Sequence, residues 1–356
     1  MSQVRTLSFV GQNIYCGIDV HKKNWGVCIK DDSFELKTFS QSPRAEILID
    51  FLKRNYPQAN YYAVYEAGFS GYWTQRTLEA HGINCLVVHA ADVPTSDKDR
   101  QQKTDRVDCR KLAQGLKDKS IKGIYIPSEQ QVDERGIMRT RQQLVQDQTR
   151  YKNRILSWLN FYGIDIPEGH KNSSHFSHKF VSWLEDLSVS NNAKTALHLK
   201  LEVLKHLRAS LLEANRHIRQ IAKSENHQES VGFLRSIPGI GLINAMTFST
   251  ELGDIGRFKN MDKLGNYAGL TPNIYSSDET IHVKGITHRC NHILREALIE
   301  SAWCAVRKDP ALLMAYKGYV KRMNYNKAIV KVAKKLLNRI RYVLLNRTPY
   351  VAGVVG

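Results

Sequence analysis

The sequence predicts an α/β domain followed by a mostly helical region, and three observations carry that expectation. Short apolar segments separated by tight polar turns fill the first third of the chain, helical spacing replaces them after Pro127, and a basic amphipathic helix closes the sequence. The 356 residues suffice for two domains with a connecting helical element. The expected divisions are residues 1–126, 127–227 and 228–356.

Three short strands come first, "NIYCGIDV" (13–20), "NWGVCIK" (24–30) and "SFELKTFS" (33–40), joined by the polar turns "HKK" and "DD". A helix in "RAEILIDFLKRN", a strand "YYAVYEA", a helix "GYWTQRTLEAHG", a strand "INCLVVH" and a helix starting near Thr104 follow. A three-strand meander followed by αβαβα is the order of an RNase H-like mixed sheet.

Helical spacing dominates from Pro127 to Asn226. In the first long helix Ile137, Leu144, Tyr151, Ile155 and Trp158 lie near a 3-4 spacing, with Arg141 and Gln148 interrupting the seam; in the second, Leu197, Leu201, Leu204, Leu211, Ile218 and Ala222 do the same. The pair suggests an antiparallel coiled-coil arm, with a helical subdomain lacking any partner as the equal alternative. Beyond Val231, "LRSIPGIGLINAMTFSTELG" has the pattern of helix, glycine-containing hairpin and helix, which can offer backbone N–H groups to a phosphate or be plain structure.

Charge narrows the function class. The chain carries 52 Lys and Arg against 34 Asp and Glu, a net +18, and residues 228–356 hold +10 of it. From Pro310 onward there are ten basic residues and no acid. A polyanion accounts for this better than a small acidic substrate, because each phosphate neutralised releases counterions. The closing helix, "NKAIVKVAKKLLNRIRYVLLN", also fits a membrane surface, but no aromatic anchor or lipidation signal accompanies it. No run of 18 apolar residues and no signal-peptide pattern occurs, so a soluble, cytoplasmic protein without a membrane partner is expected. Cys16, Cys28, Cys85, Cys109, Cys290 and Cys304 are scattered and are expected to be small buried fillers.

Four acids have addresses that suit chemistry. Asp19 ends the first strand in "GIDVHK", and Glu66 ends the fourth in "YEAGFSG"; in an RNase H-like sheet these strands are neighbours. "KTDRVDCRKLA" sets Asp105 and Asp108 three apart in a first helical turn. A single acid in such a turn is usually a dipole partner. Four together form a hard oxygen set suited to Mg²⁺ or Mn²⁺ and to phosphoryl transfer. Lys103, Arg106 and Arg110 stand beside them as candidate phosphate contacts.

These motifs, followed by "SIPGIG", "YAGLTP" and "YSSDETIHVKGITHRCNHILREALIESAW", together resemble the DEDD insertion-sequence transposases, recombinases guided by a bridge RNA. The likeness runs in order over nearly the whole chain. It implies a RuvC-like catalytic domain of RNase H type, a coiled-coil middle and a C-terminal transposase domain with a serine nucleophile. It places Asp19, Glu66, Asp105 and Asp108 at the four catalytic, metal-ligating positions. It further implies double-stranded donor and target DNA, a noncoding bridge RNA, a homo-oligomer (a dimer assembling to a tetramer) and a nucleoid-associated prokaryotic setting.

The family pattern has its serine directly before a glycine. Ser277 takes that place in "YSSDE" and is preferred to Ser276, with Asp278 where the glycine stands in the family. No base lies nearby in sequence, so the resemblance implies that the acidic site serves the serine, in a composite centre built between subunits. Lys284, Arg289 and Arg295 are candidate phosphate contacts around it, Tyr275 could position the loop, and Lys331, Lys334 and Lys335 extend the basic surface onto the last helix. The competing readings are a protein-guided DNA invertase of the same superfamily, a RuvC-like nuclease in which water attacks, and a DNA-binding protein with a decayed centre.

Overall fold

Strand propensity and burial set the order of the first elements. In β1 (Asn13–Val20) residues 14–18 are buried, as are residues 25–29 of β2 (Trp25–Lys30), while β3 (Glu35–Gln41) is more exposed and forms an edge. α1 (Ala45–Asn55), β4 (Asn60–Glu66), α2 (Trp73–Ala80), β5 (Asn84–Val88) and α3 (Asp105–Lys117) follow. The computed structural model describes residues 8–94, 105–171, 176–277, 280–287 and 289–351. It divides into two compact units, residues 1–126 and 127–356.

The first unit is a five-stranded mixed sheet in the order β3-β2-β1-β4-β5. β2 runs antiparallel to β1 and β3, whereas β4 is parallel to β1 and β5 to β4. This arrangement is compatible with an RNase H-like domain. Side chains alternate between its two faces. Ile14, Cys16, Ile18, Ala63 and Tyr65 pack with Leu48, Leu52 and Leu78 of α1 and α2. Tyr15 and Val64 pack on the opposite face with Leu112 and Leu116 of α3.

Gly17 decides how closely α3 approaches. A Cβ built there would lie 2.1 Å from the Cys109 carbonyl oxygen and 2.4 Å from the Ala113 nitrogen, so only glycine admits the helix backbone at this depth. Cys28, Cys109 and Ala113 fill the remaining space.

The second unit contains two long helices, α4 (Glu129–Phe161) and α7 (Asn191–Ile221), with the short α5 (Glu168–Lys171) and α6 (His178–Glu185) between them. Ser128 caps α4 by accepting the Gln131 N–H at 3.1 Å. The long helices pack antiparallel. Arg141 in the first half of α4 reaches Asn215 in the second half of α7 at 2.9 Å. At the far end Ile155, Trp158 and Leu159 bury with Leu197, Leu201 and Leu204.

Six further helices and a hairpin follow among the described residues: α8 (Glu225–Ser236), α9 (Leu242–Leu252), α10 (Met261–Tyr267), a hairpin of β6 (Pro272–Ser277) with β7 (Thr280–Ile286), α11 (His292–Ala305), α12 (Pro310–Val320) and α13 (Tyr325–Asn346). One core joins α8, α9 and α11 to the apolar stripe Ile329, Val332, Leu336, Ile340 and Val343 of α13. That stripe is therefore covered by protein. The buried-filler expectation holds for Cys16, Cys28, Cys85 and Cys109, whereas Cys290 and Cys304 are half-buried because they sit at helix margins.

Candidate active site and nucleic-acid interface

The acids of the first unit approach one another through strand register. Gly17 pairs with Val64 and Ile18 with Tyr65 across the parallel β1–β4 ladder, so Asp19 and Glu66 follow side by side at the strand ends. The period of two puts both on the face that bears Tyr15, Tyr62 and Val64, which is the face α3 covers. α3 runs antiparallel to β1. Its last turns reach back toward the strand start, with Lys30 donating to Gln114 at 2.8 Å and Lys117 to the Asp32 carbonyl at 3.2 Å. Its first turn, carrying Asp105 and Asp108, therefore lies at the Asp19 end.

Electrostatics agrees with this placement. Burial, with the nearby Cys28 and the Asp19 carboxylate adding to it, pushes the Cys109 thiol up to about 12. Asp19 lies 3.1 Å from His21, a neighbour that the turn "HKK" gave no reason to single out. Asp108 lies 3.6 Å from Lys111. Only the backbone of Asp105 and Arg106 is described, and Lys103 lies outside the described residues. Among the described residues no three His, Cys, Asp or Glu side chains are gathered at metal-binding distance. The donor chemistry nevertheless fits a divalent ion, since carboxylate oxygens are the hard ligands that Mg²⁺ and Mn²⁺ take.

Arg110 is paired within the fold. It donates to Glu35 of β3 at 2.9 Å through Nε and approaches it at 2.8 Å through a terminal nitrogen. Burial raises the Glu35 carboxyl, but the hydrogen bonds from Arg110 and Thr38 outweigh it and hold the group below its ordinary value.

In the second unit the candidate serines lie on a two-stranded ribbon, which the polar composition of "NIYSSDETIHV" did not reveal. Ser276 pairs with Ile281 and Ser277 with Thr280, so Ser277 is the last residue of β6. Only the backbones of Tyr275, Ser276, Ser277 and Lys284 are described, and Asp278 lies outside the described residues.

The base of this ribbon is tied down. Thr287 N–H donates to the Thr271 carbonyl at 3.1 Å, and Arg295 donates to the Thr287 carbonyl at 3.0 Å and lies 2.8 Å from His292. Arg289 is exposed, and its backbone N–H donates to the Thr287 hydroxyl at 3.2 Å. Gly269 has φ +68°, and a Cβ there would meet Cys290 at 2.5 Å. The Asn291 backbone N–H donates to the Tyr267 carbonyl at 2.9 Å.

Beneath lies a charged group the sequence did not single out. Glu251 on α9 is fully buried and accepts from Arg139 at 2.9 and 3.1 Å and from Asn291 at 2.8 Å, with Arg135 3.6 Å away. Two arginines of α4 thus meet, on one carboxylate, the residue that caps α11 behind the serine ribbon. An acid inside the apolar helix "NAMTFSTEL" was the available signal, but its partners are more than a hundred residues away or beyond the ribbon.

Basic residues of α13 form a separate feature. Lys331 and Lys335 are exposed, and Lys334 is 3.7 Å from the highly exposed Asp262, a contact worth little in water. They border a cleft of 570 Å³ between α10, α12 and α13.

A mixed sheet with acids at the ends of β1 and β4, followed by a basic helical unit, is compatible with a protein that acts on nucleic acid, and sequence comparison specifies the family. The profile of the transposase IS116/IS110/IS902 family matches residues 232–317, and that of the DEDD transposases of IS110 type matches residues 16–164. The chain is 30% identical over 301 residues to the candidate transposase y4rJ of Sinorhizobium fredii, covering 77% of this chain and 74% of that protein. It is 29% identical over 243 residues to y4qE, a second candidate transposase of that organism, covering 68% of this chain and 58% of the relative. It is 25% identical over 290 residues to the transposase for insertion sequence element IS1111A of Coxiella burnetii, covering 80% and 78%. The chain belongs to the IS116/IS110/IS902 family of insertion-sequence transposases. No helix among the described residues is long and apolar enough to cross a membrane.

Proposed function

We propose that this transposase cuts and rejoins double-stranded donor and target DNA through a covalent link to Ser277, using a divalent metal held by Asp19, Glu66, Asp105 and Asp108. The observation that carries the reading is the shared face of the sheet: Asp19 and Glu66 end adjacent parallel strands on the side covered by α3, whose first turn bears the other two acids.

When bound, Mg²⁺ or Mn²⁺ supplies charge neutralisation at a phosphate oxygen. The chain's own residues supply the rest. Asp19, Glu66, Asp105 and Asp108 give oxygen ligands. The Ser277 hydroxyl attacks phosphorus and gives up its proton, forming a phosphoserine ester while the P–O bond of the cut strand breaks and its 3′ or 5′ oxygen leaves, taking up a proton; reversal of the step reseals the strand. The Glu251, Arg139 and Asn291 network holds the base of the serine ribbon in place, and Arg295 acts there as a positioning residue through the Thr287 carbonyl. Lys103, Arg106, Lys284, Arg289, Lys331, Lys334 and Lys335 contact phosphates.

Guidance by a bridge RNA and the building of a homo-oligomer rest on the family resemblance; the coiled-coil character of α4 and α7 rests on it and on their 3-4 apolar spacing. The division into a RuvC-like domain (1–126), an arm (127–227) and a transposase domain (228–356) rests on it as well, as does a cytoplasmic, nucleoid-associated setting.

The test is strand cleavage of element-end DNA with Mg²⁺ by the Asp19→Asn and Glu66→Gln proteins. Both should lose about 10²-fold or more in rate while keeping DNA affinity. Undiminished cleavage by either would remove that acid from the reaction.

A further inference from the structure

We propose that the cleft between α10, α12 and α13 binds an unpaired nucleotide of single-stranded nucleic acid, seating a base on its floor and the adjoining phosphates on its rim. This deepens the reading given above and rests on it.

The walls differ in chemistry. Leu312, Ala311, Ala315 and Met261 give an apolar floor, and Tyr319 on α12 stands half-buried beside it. The opposite wall is α13, with Lys331, Lys334 and Lys335 on successive turns or side by side. Among the described residues Lys331 and Lys335 make no ion pair, while the fourth cation, Arg339, is taken up by the buried Asp309 at 2.5 Å. Lys334 lies 3.7 Å from the exposed Asp262, a weakly offsetting contact in water, so the cleft presents an excess of lysine charge, and residues 310–356 contain no acid.

Size and shape favour a base. The 570 Å³ lies within the range of about 300–1,000 Å³ that holds small-molecule groups. A duplex offers phosphates on a convex surface and keeps its bases stacked, so it would meet the lysines and leave the apolar floor wet. An unpaired base carries a flat apolar face for Tyr319 and the alanines, and its flanking phosphates reach the lysines. A hydroxyl and an amide, Tyr319 and Asn338, are available for its polar edge.

The experiment uses the full chain and fluorescein-labelled oligonucleotides of one sequence as single-stranded DNA, single-stranded RNA and duplex DNA. Lys331→Glu with Lys335→Glu is compared with a charge-matched control on exposed residues of the same unit, Lys317→Glu with Lys321→Glu. Tyr319→Leu, with folding checked by circular dichroism, removes the aromatic face and keeps the charge. A nucleotide-binding cleft requires the lysine pair to weaken single-strand binding at least tenfold beyond the control. The slope of log affinity against log salt should also fall by about 0.7 for each phosphate no longer neutralised. Tyr319→Leu should weaken single-strand binding by about fivefold or more and duplex binding by less than about twofold. A loss confined to RNA or to DNA supports the cleft and names the strand. Unchanged single-strand affinity, or equal loss on duplex and single strand, overturns the proposal. Failure of the cleft variants alone leaves cleavage by the acids and Ser277 standing; a wild-type protein that binds none of the three oligonucleotides defeats both readings.

Discussion

Gly17 and Cys109 are in backbone contact: a Cβ on the glycine would lie 2.1 Å from the cysteine carbonyl oxygen. That approach brings the start of α3 to the strand ends that bear Asp19 and Glu66. The Gly17→Ala protein must push the helix outward, since the clash is with main chain and not with a flexible side chain. The expected cost is about 3 kcal/mol, at the upper end for overpacking, read by urea denaturation, and cleavage should fall more than global stability explains. An unchanged unfolding midpoint would contradict the packing described.

Glu251 predicts a second stability effect. Glu251→Ala leaves the buried Arg135 and the half-exposed Arg139 without their carboxylate, and the expected loss is about 3 kcal/mol, the lower end for a broken buried pair because water can reach Arg139. Thermal unfolding measures it. If the fold survives, proteolysis should cut the 270–290 region faster than in the wild type, because Asn291 loses the closer of its two acceptors and keeps only the Tyr267 hydroxyl.

Asp309 and Arg339 predict a pH dependence. Burial raises the Asp309 carboxyl, but the Arg339 hydrogen bond and the Leu312 N–H outweigh it, so the folded pKa lies below the ordinary carboxylate value. Its contribution is complete above the unfolded pKa of about 3.9 and is lost as the pH falls through the lower folded value. Urea titrations from neutral to acid pH should show wild type and Asp309→Asn furthest apart at neutral pH and converging as the pH falls below the ordinary carboxylate value. A gap independent of pH would exclude the ion pair as its source.

The cysteines give a simple test of burial. Cys16, Cys28, Cys85 and Cys109 are buried, and burial pushes the thiols of Cys85 and Cys109 well up. A thiol reagent at neutral pH should label Cys290 and Cys304 in the native protein and all six cysteines in urea. Native labelling of Cys109 would contradict the close seating of α3.

Much of the first unit was legible because its strands are short apolar segments that end at polar turns; the positions of Asp19 and Glu66 at strand ends followed from the same pattern. The antiparallel packing of α4 and α7 was likewise visible in leucines such as Leu197, Leu201 and Leu204. The β6–β7 ribbon was not, since Asn273, Ser276 and Ser277 have low strand propensity and the apolar alternation is confined to Ile281 and Val283 in its second half. The partners of Glu251 and the Arg110–Glu35 pair were also hidden. Both depend on contacts between elements distant in sequence, where a charged residue looks the same whether it faces water, a phosphate or another side chain.

The covalent intermediate gives the most direct test of serine-linked cleavage. Wild-type protein, Ser277→Ala, Ser276→Ala and Asp19→Asn would each be incubated with end-labelled element-junction DNA and Mg²⁺, then denatured and resolved for label that migrates with protein. An adduct is predicted with wild type and Ser276→Ala and none with Ser277→Ala or Asp19→Asn. Peptide mapping should place the wild-type adduct at Ser277. Persistence of the adduct in Ser277→Ala, or strand cleavage by that protein without any adduct, would contradict the assignment.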